Sequence, residues 1–185
     1  MSISRLNATT EILDRNLEAG RGRKRAVLYR DQAYTFEQIA LASNRVGNAL
    51  LDLGIRLEQR VGILLPDCPE FFAAFLGTLK IGAVAVPFNT MMATSDYRYF
   101  LQDSRAEALI VHENFYGNLA PILRECRHLR HVISVGQEQE GAIPFGAWTA
   151  AAAAELSPAD TTADDPAFWL YSSGSTGAPK GAVHL

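Results

Sequence analysis

The sequence predicts an α/β fold, a mostly parallel sheet with helices on both faces. Three observations carry this. Apolar runs such as "RVGILL" (60–65), "AVAVP" (83–87) and "ALIV" (108–111) show no polar alternation, as strands covered on both faces require. Segments of ten or more residues with helical apolar spacing separate them, which suits crossovers between parallel strands. Helix punctuation falls between the two kinds of segment, with glycine after the stops and proline at a start. At 185 residues and 48% hydrophobic content, the chain is long enough for one ordinary domain with its own core.

Taken in order, "AVLYR" (26–30) reads as a short strand, with "AYT" returning beside it across turn residues Asp31 and Gln32. Thr35 opens a helix whose apolar face is Phe36, Ile39, Val46, Leu50 and Leu53; Thr35 and Gln38 form a capping box and Gly54 ends it. After the strand at 60–65, Pro69 starts a helix through Leu79, stopped at Gly82 before the strand 83–87. Thr94 is expected to cap a helix that turns Tyr97, Phe100 and Leu101 inward, followed by the strand 108–111. A helix from Phe115 to Cys126 carries Pro121, which would interrupt it. "HVISV" (131–135) is the next strand, and the alanine run 150–154 is expected to be helical with no functional message. "TTADDP" (161–166) is a loop leading to the strand "AFWLY" (167–171).

Composition excludes several function classes. A net charge of −3 gives no global attraction to nucleic acid or anionic lipid. "RGRKR" (21–25) lacks interleaved aromatic residues and reads as a solvated loop. Cys68 and Cys126 read as buried small hydrophobes of a reducing compartment. The N-terminus has no apolar signal region, and residues 71–88 carry Lys80, two glycines and Pro87, so they suit a buried helix and strand better than a bilayer span. A cytoplasmic protein is expected. His128 and His131 have no ligand partner at zinc spacing, His184 sits in an apolar strand, and the adjacent Asp164 and Asp165 fit turn chemistry.

The informative stretch is "SSGSTGAPKG", leaving the carboxyl end of the strand 167–171, where ligands of parallel sheets bind. Ser172, Ser173, Ser175 and Thr176 offer hydroxyls, and Gly174, Gly177 and Gly181 let backbone N–H groups converge without Cβ obstruction. Lys180 adds a compact cation, one of only three lysines among 17 basic residues. Hydroxyls, amides and an ammonium together make a cradle for polyphosphate, and a hydroxyl can also ligate Mg²⁺. It is not a Walker A loop, because Pro179 precedes Lys180, Gly181 follows it, and the loop joins strand to strand.

"YSSGSTGAPKG" resembles the signature phosphate loop of the adenylate-forming superfamily, which comprises acyl-CoA synthetases, luciferases and peptide adenylation domains. "YTFEQIALASNRVGNALLDLGI" (34–55) and "FFAAFLGTLKIGAVAVPFN" (71–89) are similar to that family's first helix and second motif, so the resemblance covers nearly the whole chain. "NTMMATSDYRYFLQDSRAEALIV" and "DDPAFWLYSSGSTG" look closest to benzoate-CoA ligases and related aromatic-acid ligases. The resemblance implies ATP, Mg²⁺ and coenzyme A as cofactors and small molecules as the partners. Ser172 is then the candidate Mg²⁺ ligand, Ser173 to Gly177 wrap the β- and γ-phosphates, and Lys180 meets charge on departing pyrophosphate. It also implies that residues 1–185 are the N-terminal portion of the large, AMP-binding domain. Such a chain stops after the phosphate loop, lacks the C-terminal domain with its catalytic lysine, is inactive alone, and self-associates through the sheet edge it leaves open. A fatty-acid or amino-acid enzyme of the same superfamily, or a fragment kept as a binding module, are the alternatives.

Overall fold

The computed structural model describes residues 5–172 and 179–185. Two short strands, β1 (Arg25–Tyr29) and β2 (Gln32–Thr35), form an antiparallel hairpin outside the main sheet. Its turn is Arg30–Asp31, one residue earlier than expected. Tyr29 pairs with Gln32, and Arg30 takes the positive φ of 51° that a two-residue hairpin turn demands. Before it, a π-helical turn (Thr10–Asp14) and α1 (Arg15–Glu18) lie against the main body.

The first long helix, α2 (Phe36–Asp52), has both capping-box bonds, with the Thr35 hydroxyl accepting from the Gln38 N–H and the Gln38 amide oxygen accepting from the Thr35 N–H. It ends in a Schellman motif. Gly54 at φ +88° sends its N–H to the Leu51 carbonyl, and Ile55 donates to Leu50. After β3 (Arg60–Leu64), α3 (Pro69–Lys80) ends the same way at Gly82, φ +71°, before β4 (Val84–Pro87). α2 and α3 cross closely because each brings a glycine to the contact. A Cβ on Gly77 would lie 2.6 Å from the Ser43 carbonyl oxygen.

The N-terminal segment is locked onto the buried C-terminal turn of α3. The Asn7 amide donates to the Leu79 and Lys80 carbonyls, the Thr9 hydroxyl donates to the Leu76 carbonyl, and the buried Lys80 ammonium pairs with Asp14 at 2.8 Å. These bonds satisfy carbonyls that a helix end otherwise leaves without intrahelical partners.

α4 (Thr94–Asp103) is capped by Ala93, not Thr94: the Asp96 carboxylate accepts from the Ala93 N–H, so Thr94 is the first helical residue. Tyr97, Phe100 and Leu101 face inward as expected. β5 (Ala108–His112) leads to α5 (Glu113–Leu123), which runs through Pro121 because the proline falls in the last turn, where only one late hydrogen bond is lost. β6 (His131–Val135) is followed by a two-residue strand β7 (Ile143–Pro144) and α6 (Phe145–Ala151), neither expected from the sequence. Most of the alanine run is therefore not helical. The side-chain amides of Asn44 and Asn48 on α2 donate to the carbonyls of Ala153, Ala154 and Glu155, holding that segment extended across the helix. The chain then passes through a loop and returns as β8 (Phe168–Ser172) and β9 (Lys180–His184).

The main sheet has the order β7-β6-β5-β3-β4-β8-β9; every pair is parallel except β8 with β9. Helices cover both faces, as the apolar strands require. On one face α2 and α3 bury Val46, Leu50, Ala73 and Ala74 against Val61, Ile63 and Ile110. On the other, Phe100, Leu101 and Leu119 from α4 and α5 meet Val86, Leu109 and Val111. Each fully buried residue of this kind contributes about 1.5–3 kcal/mol, so the central strands are the most stable part. No helix among the described residues is long and apolar enough to cross a membrane. From β3 the chain moves to β4 on one side, then crosses to β5 on the other. The direction of winding reverses between β3 and β5, and beside that point the carboxyl ends of β3, β4 and β8 open a crevice.

Candidate functional site

The β8–β9 hairpin stands beside that crevice. In β8, alternation sends Phe168 to one face and Trp169 and Tyr171 to the other. Phe168 packs on Phe75 of α3 with ring centroids 5.5 Å apart, and across the hairpin it stacks on the His184 imidazole at 4.4 Å with planes 5° apart. His184 thus has the packing role its apolar strand suggested. On the opposite face Tyr171 stacks on Phe100 at 4.4 Å, and its O–H donates to the Asp103 carboxylate at 2.7 Å.

The antiparallel register pairs Ser172 with Lys180 and Tyr171 with Gly181. Directly paired residues share a face, so the Ser172 hydroxyl and the Lys180 ammonium leave the same side of the hairpin, and both residues are exposed. A hydroxyl donor and a mobile cation are thereby brought together at the two ends of the loop. Gly181 lies in β9 and not in the loop itself. A Cβ there would sit 3.4 Å from the Tyr171 ring, an ordinary van der Waals contact, so the ring lies directly over this position. Ser173, Gly174, Ser175, Thr176 and Gly177 lie outside the described residues. The loop does join strand to strand, as its sequence suggested, and so differs from a strand-to-helix P-loop.

The crevice at the carboxyl ends of β3, β4 and β8 encloses about 550 Å³, and Leu65, Asp67, Phe88, Asn89, Leu170 and Tyr171 line it. Its lining mixes the apolar Leu65, Phe71, Phe88 and Leu170 with the polar Asp67, Asn89, Thr90 and Tyr171, and it opens to solvent at the carboxyl end of the sheet. Asn89 is tied into a local turn, its side-chain oxygen accepting from the Met91 N–H while its carbonyl accepts from the Tyr97 O–H. Of these residues, Phe88 and Asn89 stand at the end of the quoted stretch 71–89 and Tyr171 opens "YSSGSTGAPKG" in the sequence. The Tyr171–Asp103 bond spans 68 residues, and no local pattern signals it.

Among the described residues no group of three His, Cys, Asp or Glu side chains gathers, so no all-protein metal cage forms there. The exposed Ser172 hydroxyl does suit Mg²⁺, which takes one or two protein oxygens and fills its octahedron with phosphate oxygens and water. Cys68 and Cys126 are buried and free. Burial pushes the Cys68 thiol up to about 11 and raises Cys126 as well, so neither supplies a ready nucleophile. Burial, then the bond to Asp103, drives the Tyr171 phenol far above its ordinary range, so it acts as a hydrogen-bond donor only.

Comparison with known proteins agrees with this geometry. The family model described as "AMP-binding enzyme" matches residues 13–185. The benzoate–CoA ligase of Thauera aromatica is 40% identical over 182 residues, covering 98% of this chain and 34% of that protein. The 3-hydroxybenzoate–CoA/4-hydroxybenzoate–CoA ligase of the same organism is 39% identical, covering 97% of this chain and 35% of that protein. The chain therefore spans about a third of the length of these relatives. Among solved structures, the anthranilate CoA ligase AuaEII in complex with anthranoyl-AMP superposes with a TM-score of 0.93 at 39% identity, over 97% of this chain and 35% of that one. The β8–β9 hairpin, the crevice at the carboxyl ends of β3, β4 and β8 and a family match over nearly the whole sequence agree: the chain belongs to the AMP-binding enzyme family.

Proposed function

We propose that these 185 residues are the N-terminal portion of the AMP-binding domain of an ATP-dependent carboxylate–CoA ligase acting on benzoate or a related aromatic acid. The observation that carries the reading is the pairing of Ser172 with Lys180 at the carboxyl end of a parallel-sheet strand, flanking a loop rich in glycine and hydroxyls. In the first half-reaction the substrate carboxylate attacks the α-phosphorus of ATP. The P–O bond to pyrophosphate breaks, leaving an acyl-adenylate. In the second, the coenzyme A thiol attacks the acyl carbon and AMP departs.

This chain's residues act on the first step. Negative charge grows on the leaving pyrophosphate, and Lys180 with the loop amides and hydroxyls meets it in a preset arrangement. Ser172 would supply the protein oxygen to Mg²⁺, which when bound neutralises phosphate charge. The second shared feature of Ser172 and Lys180, their exposure, suits a substrate as large as a nucleoside triphosphate. Residues 1–185 alone are expected to be inactive, with no carboxylate-dependent exchange of labelled pyrophosphate into ATP.

The aromatic preference rests on kinship with aryl-CoA ligases. It is tested by kcat/KM of the protein expressed from its complete gene, across benzoate, hydroxybenzoates, acetate and palmitate. Benzoate or a hydroxybenzoate is expected to lead, since a flat apolar slot gains about 25 cal/mol per Å² of ring surface buried. An aliphatic acid ahead by about tenfold, a difference of about 1.4 kcal/mol, would remove the aromatic assignment and leave the ligase reading intact.

A further inference from the structure

Next to the loop, Tyr171 ties the hairpin that carries Ser172 and Lys180 to α4. Tyr171 is the last residue before Ser172, and Gly181, its cross-strand partner, is the first after Lys180. The Tyr171 ring lies over Gly181, and it stacks on Phe100 of α4 at 4.4 Å. Phe88, at the end of β4, lies 6.4 Å away, and Tyr99 meets the ring edge-on at 6.3 Å. The phenol O–H reaches Asp103 in the last turn of α4 at 2.7 Å. Ring and hydroxyl thus fix the same side chain at two points on one helix, while the backbone of that side chain leads directly into the loop.

We infer that Tyr171 is a positioning residue for the phosphate cradle: held by Phe100 and Asp103, it fixes the base of the β8–β9 hairpin and so the placement of Ser172 and Lys180. This rests on the reading of the hairpin as a polyphosphate site. The hydroxyl and ammonium sit on the face opposite Tyr171, so Tyr171 touches no phosphate and acts through the hairpin backbone. The hydrogen bond is charge-assisted, which makes it directional as well as strong. β9 is the last strand of the sheet, so the hairpin has α4 on one side and no further strand beyond β9 among the described residues to hold it.

The test uses Tyr171→Phe, which keeps the ring and removes the O–H, together with Asp103→Ala, Asp103→Asn and the double variant Tyr171→Phe/Asp103→Ala. Two quantities are read on each. One is amide hydrogen exchange at residues 170–172 and 180–182, against the β3 and β5 amides as an internal control. The other is the dissociation constant for inorganic tripolyphosphate with Mg²⁺, by calorimetry. Tyr171→Phe and Asp103→Ala are each expected to quicken exchange at the hairpin base and weaken tripolyphosphate binding by about tenfold, with the β3 and β5 amides unchanged. Asp103→Asn keeps an acceptor oxygen and is expected to restore most of both, and the double variant to add little to either single change. Unchanged exchange at the hairpin base in Tyr171→Phe overturns the inference. So does equal quickening at β3 and β5, which marks a residue of general stability. If wild type binds no tripolyphosphate, the phosphate reading fails, while the exchange data still decide whether Tyr171 sets the hairpin.

Discussion

Substituting alanine for Gly77 tests the packing that places the sheet's helical cover. Gly77 lies where α3 crosses α2, and its added Cβ would lie 2.6 Å from the Ser43 carbonyl oxygen and 3.0 Å from the Gly47 nitrogen. Both neighbours are backbone atoms of a helix, so no side chain can swing away. Restoring an ordinary contact near 3.4 Å requires the helices to part by roughly 0.8 Å, and a gap of that size forfeits a quarter to a half of each dispersion contact along the crossing. Overpacking of this kind costs about 3 kcal/mol, and alanine's better helix propensity returns about 1, for a net loss of about 2 kcal/mol. In a chain of this size that lowers Tm by about 6 °C. Gly117 in α5 is the control, since a Cβ there meets nothing within 4 Å and Gly117→Ala keeps the propensity gain of about 1 kcal/mol undiminished. Urea unfolding followed by circular dichroism reads both, with the midpoint moving and the slope constant. If Gly77→Ala is as stable as wild type, or the two variants shift together, the close crossing of α2 and α3 is wrong.

Two further outcomes follow from buried and edge groups. The Cys68 thiol, raised by burial from its ordinary 9.0 to about 11, keeps its proton in the folded chain while the unfolded chain loses it, so its contribution is full below pH 9 and fades as pH rises toward 11. The stability difference between wild type and Cys68→Ala is expected to shrink over that window; a constant difference removes the assignment. At the open side of β9, Val183 is 49% and Leu185 68% exposed, so concentration-dependent sedimentation is expected, suppressed by Val183→Lys. A clean monomer for wild type at all concentrations contradicts it.

The sequence foretold what depends on local periodicity and caps. Ile39, Val46 and Leu50 fall on the buried face of α2, the Thr35–Gln38 box forms, and Gly54 and Gly82 take positive φ because their helices end in Schellman motifs. It misled where a distant contact decides. Residues 152–154 are good helix formers held extended by Asn44 and Asn48, more than 100 positions away. Ala93 displaces Thr94 as cap because Asp96 closes that turn from below. β7 is two residues long, too short for any periodicity to reveal. At the site, the hydroxyls, glycines and Lys180 of the loop are legible as residue types, whereas the contacts of Tyr171 with Phe100 and Asp103 exist only after α4 and β8 have folded together.

Lys180 carries the central claim: the hairpin brings it beside Ser172 at the carboxyl end of β8, and we propose that it meets charge on the departing pyrophosphate there. The direct measurement is Lys180→Ala in the protein expressed from its complete gene, with the two half-reactions timed separately. Adenylation is followed by exchange of labelled pyrophosphate into ATP, and thioester formation by coenzyme A release of AMP from supplied acyl-adenylate. Adenylation is expected to slow on the order of 10²-fold, the size of one preset electrostatic donor, with thioester formation nearly unchanged. Equal slowing of both steps would contradict a role on the leaving phosphates and reduce Lys180 to support of the hairpin.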